Sequence, residues 1–214
     1  MQFKHAGNIP IDVQKLNIDM LSLSGHKIYG PKGIGALYIR NGIKIDKFIN
    51  GGHQEKNLRA GTENVAGIVG IGKACEIANK NLDSYMKKLK ELRDYYISKV
   101  KEKIPYIKIN GSKEKRLPGN SNISFKYIEG EELLLKLDSK GICASSGSAC
   151  TSGSPEPSHV LTAIGLPQDL AYGSLRITFG EENTKQDVDY LVDVLTQEVQ
   201  ELRNNSPEYR KIIK

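Results

Sequence analysis

Apolar residues recur along this chain at two different spacings, and the changes between them mark its elements. Ile18 to Leu23 is a short apolar run ending at Ser24. Ala36-Leu37-Tyr38-Ile39-Arg40 is a second, closed by the turn pair Asn41-Gly42. Both predict short strands, so residues 8–41 read as α/β material. Ser24 to Gly35, rich in Gly with one Pro, predicts a loop held between those strands, a good place for precise chemistry. Residues 43–66 keep neither spacing and predict irregular chain around Gly51-Gly52-His53 and Arg59-Ala60-Gly61-Thr62-Glu63-Asn64.

The spacing then becomes helical. Ile68, Ile71, Cys75, Ala78, Leu82, Met86 (or Tyr85), Leu89, Leu92, Tyr96 and Val100 step by three or four. One unbroken helix over them would be about 50 Å long, which suits a helix joining two domains. The polar stretch Asn79 to Asp83 is a candidate break. Cys75 lies on the apolar stripe and is expected in the core.

Beyond Pro105, Tyr106–Ile109 and Asn122–Tyr127 predict strands around a polar turn. Glu131–Ser139 predicts a helix stopped by Gly141. Ile142-Cys143-Ala144 predicts a short strand with Cys143 buried. Ser158–Ile164 predicts a short helix capped by Ser158, and Ser174–Phe179 another strand. Thr184 is placed to cap a last helix whose stripe is Val188, Leu191, Leu195, Val199 and Leu202. The polar tail 204–214 is expected to fray. No internal repeat is visible.

Composition adds limits. Of 214 residues, 38% are hydrophobic and 26% charged, the balance of a folded globular chain. No run approaches the roughly 20 apolar residues of a membrane span, and the start lacks a signal-peptide core, so a cytoplasmic location is expected. Three cysteines with no CxxC pair argue against a disulfide framework or zinc ribbon. The net charge of +6 is spread out, and the densest stretch of lysines also carries Asp83, Glu91, Asp94 and Glu102. A solvated helix face explains it better than nucleic-acid binding.

Three segments carry chemistry. Lys27, in Ser24-Gly25-His26-Lys27, is an amine that can capture an aldehyde or simply be solvated. His26 can move protons or donate to an anion, and Ser24 offers a hydroxyl. The nearby Gly30-Pro31-Lys32-Gly33-Ile34-Gly35 has neither P-loop nor dinucleotide spacing and reads as shaping the turn. Cys150 stands in the Ser/Gly-rich segment 144–154, whose composition gives a thiol access, whether as a reactive group or as a plain surface cysteine. Arg176, flanked by apolar residues, needs an anionic partner, either a substrate carboxylate or a structural ion pair.

Together and in this order, these segments resemble the cysteine desulfurases of the NifS/IscS type, in the class V aminotransferase family of fold-type I pyridoxal phosphate enzymes. Ser24 to Lys27 with Tyr29-Gly30-Pro31-Lys32-Gly33 resembles the family's cofactor-lysine segment. Arg59-Ala60-Gly61-Thr62 resembles its second phosphate-contacting segment. Residues 145–154, followed by Glu156 to Leu161, resemble its catalytic loop. The resemblance runs from about Gly7 to about Leu202.

The resemblance implies an α/β fold of the fold-type I PLP-dependent transferase kind. Residues 1–66 would be a remnant of the large cofactor domain, 67–104 a linking helix, and 105–214 a small α+β C-terminal domain with the catalytic-cysteine loop. Lys27 would hold the cofactor's aldehyde carbon covalently, with Ser24, Gly25 and His26 on its phosphate side and His26 also catalytic. Thr62 would reach the phosphate of the other subunit's cofactor, making the site that of a homodimer. Arg176 would bind the carboxylate of L-cysteine. Cys150 would take its sulfur as a persulfide, release L-alanine, and pass the sulfur to an iron–sulfur scaffold or other acceptor protein. A shared iron–sulfur ligand role for Cys150 is also implied. No nucleic-acid or membrane partner is expected.

The chain departs from the family's pattern at its start. The family sets an Asp against the pyridine nitrogen and a Gln three residues later, and counting back from Gly7 these positions fall on Met1 and Lys4. The family's upstream phosphate loop, ring-stacking histidine and Asn have no counterpart. A C-terminal fragment, inactive or weak alone, is therefore expected, with apolar surface exposed around Ile18–Leu23 and the Ala36 strand. Rival expectations are a selenocysteine lyase, or a non-catalytic fragment that binds a sulfur acceptor or a full-length partner.

Overall fold

A computed structural model describes residues 7–146 and 158–212. The chain divides into two compact units, Met1–Tyr85 and Met86–Lys214.

In the first unit, β1 (Met20–Ser24) pairs antiparallel with β2 (Gly35–Ile39), in a register running from Met20 opposite Ile39 to Ser24 opposite Gly35. Gly35 must be a glycine, because a Cβ there would lie 2.6 Å from the Leu23 carbonyl oxygen of the facing strand. A single 3₁₀ turn, Gly25–Ile28, follows β1 directly. The region expected to be irregular holds only the four-residue turn α1 (Gln54–Asn57), in which Glu55, Lys56 and Asn57 all take positive φ.

Helix α2 (Val65–Lys103) then runs unbroken through Asn79–Asp83, about 58 Å for its 39 residues. The candidate break there is not used. That stretch is polar but contains neither Gly nor Pro, so nothing removes or strains its backbone hydrogen bonds.

Among the first unit's described residues Ile28, Ile71 and Ala74 form a small buried cluster, with Leu23 and Ile34 packed on it. Cys75 is exposed, contrary to expectation. The core takes Ile71 and Ala74, and one further residue turns about 100° round the helix. That step puts Cys75 on the wall of an open cleft of about 720 Å³, beside Ile28 and Ala78. The expected apolar exposure is present: β1 is only half-buried, and Leu37 on β2 is 50% exposed.

The second unit is built on a three-stranded antiparallel sheet in the order β3 (Ile107–Ile109), β4 (Asn120–Phe125), β5 (Ser174–Thr178). The strand ends differ from expectation by one or two residues, and at the start of β3 and the end of β4 backbone conformation is the reason. Tyr106 and Tyr127 have φ of 56° and 69°, which an extended ladder cannot include, so β3 starts after Tyr106 and β4 ends before Lys126.

Helix α3 (Gly130–Ser139) is followed by Gly141 at φ 74°, the expected stop. Short helices α4 (His159–Ala163) and α5 (Gln168–Tyr172) precede β5. Ser158 occupies the cap position of α4, but its side chain makes no capping bond. Residues 142–144 form no strand, and Cys143 is exposed rather than buried. Neighbouring side chains of extended chain point to opposite sides, so Ile142, half-buried, leaves Cys143 outward.

Helix α6 (Lys185–Asn205) begins with a full capping box. Thr184 Oγ1 accepts from the Asp187 N–H, and the Asp187 carboxylate accepts from the Thr184 N–H. Its expected stripe is buried against the sheet unit's core, with Val188 and Leu195 fully buried. The described part of the tail, to Ile212, is not frayed as expected: α7 (Pro207–Ile212) buries Tyr209. The Tyr209 ring meets those of Tyr106 and Tyr127, and the guanidinium of buried Arg203 lies 5.7 Å from the ring centres of both Tyr106 and Tyr209. Arg203 also donates to the carbonyls of Lys126 and Tyr106.

Candidate functional site

The Lys27 turn is fixed by backbone. Ser24 ends β1 in extended conformation, and the Gly25 N–H donates to the Ile34 carbonyl at 2.9 Å. The Gly25 carbonyl in turn accepts from the Gly30 N–H at 2.9 Å. A Cβ on Gly25 would lie 2.9 Å from both the Pro31 carbonyl oxygen and Ile34 Cγ2, so the turn closes only around a glycine. Gly25 and Ile28 are buried, while His26 and Lys27 between them are exposed. Ser24 is half-buried. Tyr29 leaves the turn in left-handed conformation at φ 61°, with its hydroxyl 3.1 Å from that of Tyr85.

The turn thus presents an amine, an imidazole and, at its base, a hydroxyl from four consecutive residues. That donor set fits an aldehyde bearing a phosphate: the amine for the carbonyl carbon, the imidazole and hydroxyl for the anion.

Thr62 is exposed. The segment before it is held by a bridge between Ile49 and Arg59, and by the Gly61 N–H donating to Gln54 Oε1 at 3.1 Å.

In the second unit, Arg176 is half-buried in β5 opposite Asn122. Its guanidinium forms no ion pair among the described residues. Its backbone is engaged on the other side. The Arg176 N–H donates to the Ser145 carbonyl at 2.6 Å, and the Ser145 N–H donates back to the Arg176 carbonyl at 3.3 Å. Ser174, fully buried, donates through Oγ to the Ser146 carbonyl at 2.9 Å. Sequence reading passed over Ser174, because a serine opening a strand carries no signal in the apolar pattern. Cys150 lies outside the described residues. Among those residues no cluster of three His, Cys, Asp or Glu side chains is placed to hold a metal ion.

The structure therefore brings Ser24, Gly25, His26 and Lys27 together in the first unit. It joins Arg176 to the segment leading to Cys150 in the second.

Comparison with known proteins shows the family. The family model described as "Aminotransferase class-V" matches residues 3–191. A cysteine desulfurase IscS of Dictyoglomus turgidum is 54% identical over 201 residues, covering 94% of this chain and 51% of the relative. One from Methanosarcina thermophila is 55% identical over 210 residues, covering 96% and 52%. A solved NifS-like protein from Rickettsia africae superposes with a TM-score of 0.82 at 32% identity, covering 91% of this chain and 51% of that one. The chain spans about half the length of the curated relatives it matches. The family depends in general on pyridoxal phosphate. With its partial sheets the fold is that of the fold-type I enzymes, and the chain belongs to the aminotransferase class-V family, alongside the cysteine desulfurases of the NifS and IscS type.

Proposed function

We propose that this chain serves a cysteine desulfurase, taking sulfur from L-cysteine, leaving L-alanine and holding the sulfur on Cys150. The observation that carries the reading is the Lys27 turn, which leaves His26 and Lys27 exposed between the buried Gly25 and Ile28. Lys27 would hold pyridoxal phosphate, with Ser24, the Gly25 backbone and His26 on its phosphate side. Thr62, exposed on its own segment, would reach the phosphate bound by a second copy, so the working form is a homodimer. Bound there, the cofactor supplies an electron sink for the substrate's α carbon.

The protein's own groups do the rest. Arg176 orients the substrate by its carboxylate. The Cys150 thiolate attacks the substrate sulfur, so an S–S bond forms as the substrate's C–S bond breaks. The electron pair of that bond stays with the carbon, which is protonated to give L-alanine. Lys27 and His26, side by side on the turn, take up and return protons. The Cys150 persulfide then passes its outer sulfur to an acceptor thiol, on an iron–sulfur scaffold or another acceptor protein. Cys150 would also serve as a shared ligand while a cluster forms. A cytoplasmic setting suits this chemistry, and no described helix is long and apolar enough to cross a membrane.

Titrating the chain with pyridoxal phosphate while following visible absorbance tests the first step. A new band that Lys27→Ala abolishes is expected, and a band that persists in Lys27→Ala contradicts the assignment.

A second reading is favoured by one observation. Leu37, Val65 and Val69 in the first unit are half or more exposed. Such apolar surface suits a non-catalytic chain that binds a full-length partner or a sulfur acceptor. L-cysteine turnover separates the two readings.

A further inference from the structure

We infer that Ser174 is a positioning residue: its buried hydroxyl holds the Ser146 carbonyl and so fixes where the segment bearing Cys150 leaves the sheet, beside Arg176. This rests on the sulfur-accepting role proposed for Cys150 and deepens it.

Three hydrogen bonds make the anchor. Two are backbone bonds between Ser145 and Arg176, at 2.6 and 3.3 Å, and the third is Ser174 Oγ to the Ser146 carbonyl at 2.9 Å. Only the third comes from a side chain, and Ser174 is 0% exposed. A buried hydroxyl is costly without a partner, so this bond has no competition from water.

The base beneath it has little freedom. Ser174 pairs in register with Ser124, another fully buried serine, whose Oγ accepts from Asn110 Nδ2 at 2.8 Å. A Cβ on Gly173 would lie 2.2 Å from the Phe125 carbonyl oxygen. One on Gly130, at the start of α3, would lie 2.6 Å from the Tyr172 and 3.0 Å from the Ser174 carbonyl oxygens. The backbone of 172–174 is thus gripped by β4 on one side and by α3 on the other, with no room for a side chain at either contact.

The consequence is chemical. Arg176 is both the proposed carboxylate grip and the backbone partner of Ser145. Cys150 follows Ser146 by four residues, no more than about 14 Å of chain. A fixed start beside the substrate's carboxylate limits the volume the thiol explores and raises its effective concentration at the substrate. Ser174 therefore acts through Ser146, without touching substrate.

Ser174→Ala and Ser174→Thr test this, with amide hydrogen exchange on the whole chain and steady-state kinetics with L-cysteine. Loss of one hydrogen bond predicts roughly 3- to 10-fold faster exchange at the Ser145 and Arg176 amides in Ser174→Ala. Exchange at Ile123 and Leu175 should be unchanged, and Ser174→Thr, which keeps the hydroxyl, should restore the wild-type pattern. In turnover, kcat should fall about tenfold while KM for L-cysteine holds, because the Arg176 guanidinium is untouched. Unchanged exchange at Ser145 and Arg176 overturns the anchor whether or not the chain turns over. Faster exchange spread over all of β4 and β5 also overturns it, since that is a merely structural role. Faster local exchange with unaltered kcat overturns the positioning role. If the wild-type chain does not turn over, the exchange result alone decides the anchor.

Discussion

Gly25 is the residue on which the Lys27 turn closes. Its N–H and carbonyl tie the turn to Ile34 and Gly30, and its missing Cβ is what lets Pro31 and Ile34 approach. Gly25→Ala should force those neighbours apart, at a cost of about 1–3 kcal/mol in stability, and weaken pyridoxal phosphate binding at least tenfold. Thermal melts and absorbance titration check both, and unaltered binding would detach Gly25 from the site. The motif itself was legible, because Ser-Gly-His-Lys brings its chemistry together within four consecutive residues. Cys75 and Cys143 were not. Both sit beside apolar positions, and a period alone cannot say which of two adjacent residues faces in. Ser174 was invisible for a different reason: its role depends on Ser146, which the fold brings to it from 28 residues away.

At the level of elements, the start of α6 is the clearest case of sequence chemistry becoming structure. Thr184 was legible as a cap, and its partner Asp187 completes the box. The Thr184 N–H, then the Thr184 hydroxyl, hold the Asp187 carboxyl below its ordinary 3.8. A carboxyl whose folded pKa lies below its unfolded one stabilises the fold fully above the unfolded value, and loses that contribution as pH falls through the folded value. Asp187→Asn should therefore flatten the acid side of the stability curve below about pH 4 and leave the neutral side's slope unchanged. Thr184→Ala should cost about 1 kcal/mol at neutral pH. Denaturant melts across pH measure both, and an unchanged acid limb in Asp187→Asn would contradict the box. Helix α2 was legible in its stripe and as one linking helix, but the stripe alone left Asn79–Asp83 open, since polar residues on a solvated face look the same in a helix and in a break. The ends of β3 and β4 were hidden because positive φ at Tyr106 and Tyr127 has no signature in those residue types.

Across the whole molecule, the two units differ in how much they bury. The second packs helices α3 and α6 and a three-stranded sheet around fully buried side chains such as Phe125, Leu133 and Leu195. Among its described residues the first has the small buried cluster of Ile28, Ile71 and Ala74, and leaves Leu37, Val65, Val69 and Phe48 exposed. The fold class was legible because the motifs occur in order along the chain, the first on a tight turn and the second at an isolated bridge. Burial was not legible from those motifs, since it depends on which layers cover a strand. The sulfur-accepting role of Cys150 is tested most directly by mass spectrometry of the chain after incubation with pyridoxal phosphate and L-cysteine. A mass gain of one sulfur atom on the Cys150 peptide, removed by reductant, matched by L-alanine and lost in both Lys27→Ala and Cys150→Ser, is the predicted result. Absence of that gain on Cys150, or its persistence in Lys27→Ala, would contradict the assignment.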